Sequence, residues 1–209
     1  AIEGKPYTQQ YPIDATEPAF QKDIDASALW KKIVHNAWKS AEPGVLFWDT
    51  ILKESVPDCY ADLGYRTVST NPCGEIPLCP YDSCRLIAIH LYSYVERPFT
   101  DKAEFNMALF KEHVAKAMRL MDDLIDLEME KIEAIIRKIE RDPEEFDVKR
   151  TELDLWKKIM KKSQGGRRTG LGITAEGDML AALGITYGSD KAIDFAVEVQ
   201  KTLAVEAYR

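Results

Sequence analysis

The chain has 209 residues, 45% hydrophobic and 10% aromatic, which is enough to bury a core and excludes a disordered or fibrous protein. Its 28 Lys and Arg against 35 Asp and Glu leave a net charge of −7, with no broad attraction to nucleic acid or to an anionic membrane. No apolar run approaches the roughly 18 residues of a membrane span, and the first residues lack the charged-then-apolar layout of a signal peptide, so a cytoplasmic protein is expected.

Residues 1–24, with Gly4, Pro6, Pro12 and Pro18 among scattered aromatics, read as an irregular N-terminal arm without a fold of its own. Asp25 is the expected N-cap of a helix from Ala26 to about Lys39, whose stripe of Leu29, Trp30, Ile33, Val34, Ala37 and Trp38 should face a core. Pro43-Gly44 ends it. Val45 to Leu52 then predicts a buried turn into a short helix, and Val56 to Pro80 has the composition of a loop. Arg85 to Val95 is β-rich and apolar at first, the pattern of a strand buried on both faces.

From Asp101 the period changes. Phe110, Val114, Met118, Met121, Ile125, Met129, Ile132, Ile136 and Ile139 recur at steps of three or four, predicting a long helix stopped at Asp142-Pro143. A second amphipathic stretch runs from about Pro143 to Lys162. Arg167 to Ile173 reads as a short strand packed closely at its glycines. Thr174 is expected to cap a short helix ending at Gly184, and Ser189 or Asp190 to begin a final one. That last helix meets no stop signal and the chain has no initiating Met, so it reads as an excerpt of a longer protein.

Chemistry concentrates in one string. All four cysteines, Cys59, Cys73, Cys79 and Cys84, fall within a single stretch, unlike the spread that staples a small secreted domain. In Asn71-Pro72-Cys73-Gly74-Glu75, an amide, a thiol and a carboxylic acid alternate. An extended loop would turn the three toward one side at repeats of roughly 7 Å, around one small substrate.

This string, continued by Ile76-Pro77-Leu78 and by Pro80-Tyr81-Asp82-Ser83-Cys84-Arg85-Leu86, resembles the finger loop of ribonucleotide reductase catalytic subunits. The block from Arg167 to Gly184, about ninety residues later, resembles the same family. The likeness covers most of the chain from about Asp25, with the arm and the acidic insertion around Glu128–Trp156 less diagnostic. It implies an α/β fold: part of a ten-stranded α/β barrel with a central finger loop at about 70–84, residues 25–209 belonging to that catalytic barrel domain while the excerpt itself is mostly helical.

The resemblance also implies roles. Cys73 matches the thiyl radical site that takes the 3′-hydrogen of the substrate ribose. Glu75 matches the base that removes the 3′-hydroxyl proton, and Asn71 the amide that hydrogen-bonds the substrate hydroxyls. Cys84, eleven positions after Cys73, matches one of two cysteines that supply electrons and end as a disulfide, its partner lying upstream of residue 1. Hydrogen-atom transfer calls for a neutral thiol at Cys73 rather than a thiolate. Glu75 must stay ionised beside the substrate.

Pro72 and the short spacing from Cys73 to Cys84 look more like the class that uses adenosylcobalamin than the class whose radical comes from a separate diiron subunit. The implied reaction is reduction of ribonucleotides to 2′-deoxyribonucleotides for DNA synthesis. Implied partners are a ribonucleoside di- or triphosphate, nucleotide effectors bound outside this excerpt, a thioredoxin-like electron donor, and a second copy in a full-length homodimer. No cobalamin-contacting residue is assigned. Two other readings stand beside this one: a fragment inactive without the missing parts of its subunit, and a zinc-bound structural module. The cysteine gaps of fourteen, six and five lack the paired knuckles of a tetrahedral zinc site, so no metal ligand is assigned. Cys59 reads as a core or loop thiol, Cys79 has no family role, and His35, His90 and His113 are scattered. Gly170-Leu171-Gly172 lacks the spacing of a phosphate loop and suits tight strand packing.

Overall fold

The computed structural model describes residues 4–209; residues 1–3 of the expected arm lie outside the described residues. The chain divides into two compact units, residues 1–54 and 55–209.

In the first unit, β1 (Tyr7–Tyr11) pairs antiparallel with β2 (Phe20–Ile24), with Tyr7 opposite Ile24 and Tyr11 opposite Phe20. The stretch expected to be irregular is therefore a hairpin, tied across by a 2.6 Å hydrogen bond from the Thr8 hydroxyl to Asp23. Helix α1 (Ala26–Ser40) starts where its cap predicts, the Asp25 carboxylate accepting from the Ala28 amide at 2.9 Å. Its apolar stripe does not meet the expected core. No residue of α1 is buried, and Trp38 is 81% exposed. A short helix, α2 (Trp48–Glu54), ends the unit, again without a buried residue.

The second unit contains the core. The segment read as loop opens with a kinked 3₁₀ stretch (Val56–Leu63) and then a small hairpin, β3 (Ser69–Thr70) with β4 (Pro77–Leu78). β5 (Arg85–His90) follows, and the predicted longer strand breaks there into a 3₁₀ turn (Leu91–Tyr94). β5 is not buried on both faces: Ile89 packs into the core while Leu86, on the opposite face, is 64% exposed and lies outside that cluster. β6 (Val95–Glu96) and β7 (Glu104–Phe105) form another short antiparallel pair.

Helix α3 (Met107–Arg141) is capped by Asn106 and runs for 35 residues, about 50 Å at 1.5 Å per residue. Six of its nine predicted stripe residues are buried, Phe110, Val114, Met121, Ile125, Ile132 and Ile139, as the 3.6-residue period requires. α4 (Phe146–Gly166) folds back along α3, setting Ser163 beside Glu128. β8 (Thr169–Thr174) pairs parallel with β5, from Arg85 opposite Thr169 to His90 opposite Thr174. α5 (Glu176–Ala182) follows Ala175, whose φ is 60°; Ala175, not Thr174, occupies the cap position, with no side-chain bond. α6 (Asp190–Ala207) is capped by the Ser189 hydroxyl as expected.

Ile89, Phe110, Val114, Met179, Val199 and Leu203 anchor one apolar cluster joining β5, α3, α5 and α6. This core holds the β5–β8 ladder against the helices, and the ladder in turn positions the residues from Asp82 to Arg85. Among the described residues the strands form four two-stranded sheets within a largely helical chain, and no barrel closes. No helix among them is long and apolar enough to cross a membrane.

Candidate active site

The finger-loop string forms the tip of the β3–β4 hairpin. The Asn71 amide N–H donates to the Ile76 carbonyl at 3.1 Å, and the Ile76 N–H returns a 2.9 Å bond to Asn71 Oδ1. Gly74 N–H closes on the Asn71 carbonyl at 3.0 Å, and Gly74 has a φ of 81°, which a residue without Cβ adopts freely. These three bonds reverse the chain. The extended alternation expected of Asn71, Cys73 and Glu75 is thus replaced by a turn, with Cys73 exposed within it.

The structure brings together a different subset of the predicted residues. Glu75 and Cys84 line one groove of about 600 Å³, with Ile76, Leu86, Arg168 and Gly170. Neither Cys73 nor Asn71 lines it. Cys84 is half-buried just before β5, and burial pushes its thiol above the ordinary range, Asp82 adding to the effect while Arg168 and Arg85 oppose it. A thiol held protonated in this way suits hydrogen-atom or electron donation better than nucleophilic attack.

Gly170 makes room for that thiol. It lies opposite Leu86 in the ladder, and a Cβ at Gly170 would stand 3.0 Å from Cys84 Sγ. The close packing expected at the glycines is present at Gly170 and much weaker at Gly172, where the nearest atom would be 3.9 Å away.

A set of ion pairs, buried at Arg168–Asp82 and more exposed at Arg167, fixes this region and was not evident from the sequence. Arg168 Nε donates to Asp82 Oδ2 at 2.6 Å, the two side chains being 12% and 3% exposed. The buried Cys79 thiol donates to the same carboxylate at 3.3 Å, and burial first, then Asp82, raises its pKa. Arg85 binds Glu128 on α3 at 2.5 Å and the Ser163 hydroxyl on α4 at 2.9 Å. Arg167 reaches Asp122 and Asp126 on α3 at 2.6 and 2.9 Å. Partners 40 to 90 positions apart in sequence leave no local spacing signal; the only hint available was the density of Arg and Asp in the two motif blocks.

The remaining candidates are engaged elsewhere. His113 pairs with the Tyr94 hydroxyl at 3.0 Å, and His90 with the Ser93 hydroxyl at 3.1 Å. Cys59 is exposed. Among the described residues no three His, Cys, Asp or Glu side chains converge as a metal site.

The parallel β5–β8 pair, joined through helices α3 and α4, makes this unit a piece of an α/β domain. The sequence of the whole chain, residues 1–209, matches the model of the ribonucleotide reductase barrel domain, and the chain belongs to that family. It is 32% identical over 200 residues to a vitamin B12-dependent ribonucleoside-diphosphate reductase of Thermoplasma acidophilum, covering 94% of this chain and 22% of that protein. A protein of the same description from Mycobacterium tuberculosis is 29% identical, over 88% of this chain and 22% of its own length. A ribonucleoside-diphosphate reductase subunit alpha of Chlamydia pneumoniae is 25% identical, over 93% and 16%. The chain spans about a fifth of the length of these curated relatives. The family match takes in the arm and the acidic insertion, the two stretches where the motifs were less diagnostic.

Proposed function

We propose that this chain is part of the catalytic subunit of an adenosylcobalamin-dependent ribonucleotide reductase, which converts a ribonucleotide to its 2′-deoxy form. The observation that carries the reading is the shared groove of Glu75 and Cys84 behind a hairpin whose turn presents Cys73. Relatives named as vitamin B12-dependent reductases support the cofactor class. The subunit alpha of Chlamydia pneumoniae keeps the alternative of a radical delivered by a separate subunit in view.

In this reading Cys73, as a thiyl radical, takes the 3′-hydrogen of the ribose, and Glu75 accepts the 3′-hydroxyl proton. Asn71 uses its amide oxygen to hold the turn, which leaves its NH₂ group to donate to a substrate hydroxyl. Cys84 and a second cysteine of the longer protein then supply two electrons and two hydrogens. The C2′–O bond is replaced by C–H, one water leaves, the two thiols become a disulfide, and the 3′-hydrogen returns to the sugar. A thioredoxin-like dithiol reduces that disulfide by exchange. The fit of the chain to the cofactor rests on the open position of the Cys73 thiol; no described residue is assigned to hold the corrin. When bound, adenosylcobalamin supplies the radical chemistry, and the protein supplies position.

Residues 25–209 belong to the catalytic barrel domain in this reading, β5 and β8 being two of its ten strands, with residues 1–24 as an arm. The excerpt by itself is inactive, because the second cysteine and the nucleotide effector site lie outside it. Cys73→Ser in the full-length subunit is the direct test, with deoxynucleotide formation measured from ribonucleoside di- and triphosphates, with and without adenosylcobalamin. Turnover should fall to trace while nucleotide binding persists; sustained reduction by the serine variant would refute the radical assignment. Activity without adenosylcobalamin would transfer the radical source to a second subunit.

A further inference from the structure

Arg168, which lines the groove, is paired with the buried Asp82, and the reaction as laid out uses neither charge. Asp82 lies two residues before Cys84, and Arg168 lies two residues before Gly170, the glycine that accommodates the Cys84 sulfur. The β5–β8 register starts at Arg85 opposite Thr169, so the 2.6 Å contact between Arg168 and Asp82 closes the ladder just beyond its first pair. Asp82 is also a hub. Its Oδ1 accepts from the Ser83 amide at 2.9 Å, and its Oδ2 takes both the Cys79 thiol and Arg168 Nε. Both charges are almost completely withdrawn from water, where an ion pair is little screened.

The geometry points to Asp82 and Arg168 as a positioning pair for Cys84, clasping the chain on either side of that thiol and balancing the charge it faces. This inference rests on Cys84 being the electron-donating thiol of the proposed reaction. The charged groups acting on Cys84 are Arg168 just before β8, Arg85 next to it and Asp82 on its own segment, and Glu75 lines the same groove. Arg85 is already paired with Glu128, so its charge is largely met. Arg168 has Asp82 as its carboxylate partner, and that pairing keeps the cation from drawing Cys84 into its thiolate form. Half of the pair without the other would leave an uncompensated charge beside the sulfur, and the two halves have opposite signs.

Opposite signs give a readout that a merely structural clasp would not produce. Iodoacetamide alkylation of the Cys84 peptide is followed by mass spectrometry across pH in the full-length protein, with exposed Cys59 as internal reference. Asp82→Asn should move the Cys84 profile to lower pH by about one unit, and Arg168→Gln should move it to higher pH by a similar amount. Cys59 should stay put. Shifts in the same direction, or no shift, would overturn the pair's electrostatic role. Both variants should lower kcat by about tenfold or more with KM little changed, since a small misplacement of a reacting group is costly.

Should a single variant fail to fold, the double variant Asp82→Asn with Arg168→Gln removes both charges of the pair together and restores the Cys84 profile to near that of the parent. A double variant displaced as far as either single one would also overturn the proposal. Failure of the underlying reading is seen separately: if Cys73→Ser retains turnover, the reductase mechanism falls, whereas the alkylation shifts test the pair whatever Cys84 does in catalysis.

Discussion

Gly170 stands opposite Leu86 in the β5–β8 ladder, where a Cβ would lie 2.5 Å from Leu86 Cδ2 and 3.0 Å from Cys84 Sγ. Leu86 has room to rotate because it is largely exposed, but the Cys84 sulfur is held between its own backbone and the groove. Gly170→Ala should therefore destabilise the second unit by about 1–3 kcal/mol, the usual cost of overpacking. Gly172→Ala, with nothing nearer than 3.9 Å, should leave the thermal midpoint within error of the parent. Equal midpoints for the two variants would show that the Cys84 pocket is not tight. Asp58 gives a second test at this scale. Burial opposes its charge, but the Thr67 hydroxyl and amide at 2.5 and 2.9 Å, with Ser55 and Arg66, outweigh that and hold its pKa below the ordinary 3.8. A carboxyl whose pKa is lower folded than unfolded contributes stability that is full above the unfolded value and lost as pH falls through the folded one. Stability measured by denaturant should thus drop below about pH 4 more steeply in the parent than in Asp58→Asn.

Helices were legible in the sequence because periodicity and caps act locally: Asp25 and Ser189 cap α1 and α6 as their residue types imply, and the α3 stripe buries six of its nine positions. The β1–β2 hairpin was not legible, since Tyr11 and Phe20 are joined by eight residues, longer than the two- to five-residue turns that signal a hairpin. The β5 burial was over-read for a related reason. A continuous apolar run states only that both faces avoid water somewhere, and here the helical core covers the Ile89 face while the Leu86 and Ala88 face is exposed. Within the site, Cys73, Glu75, Asn71 and Cys84 were identifiable as types, but their arrangement depended on Asn71 bonding back to Ile76, which no alternation rule contains. Asp82 with Arg168, and Arg85 with Glu128 and Ser163, join elements distant in sequence and appear only once the fold is formed. α3 supplies the carboxylates for Arg85 and Arg167, Glu128 for the first and Asp122 and Asp126 for the second. Ile125→Ala, at a fully buried position level with the Arg167 contacts to Asp122 and Asp126, should cost about 2–5 kcal/mol. Leu127→Ala, at a position 54% exposed on the same helix, should cost far less in the same denaturant titration.

Across the whole molecule, burial is distributed unevenly between the two units. No described residue before Ser55 is buried, whereas the second unit gathers Leu91, Phe110, Val114, Met121, Ile125 and Met179 at complete or nearly complete burial. Backbone hydrogen bonds are protected in proportion to the free energy needed to open them, and that energy comes chiefly from the apolar contacts that must be broken at the same time. α1 has a good cap and a continuous bond ladder, but a helix of 15 residues without a buried face is marginal by itself in water. Amide hydrogen exchange on the 209-residue chain should therefore separate the two. Amides of α1 should exchange by local opening, orders of magnitude faster than those of α3 between Phe110 and Ile125, which exchange only when the core cluster opens. The decisive comparison is between α1 and α6, of 15 and 18 residues and both side-chain capped. They differ in that α6 buries Ala192, Val199 and Leu203. If α1 proved as protected as α6, tertiary burial would not be what distinguishes them, and the marginal stability assigned to the first unit would be wrong.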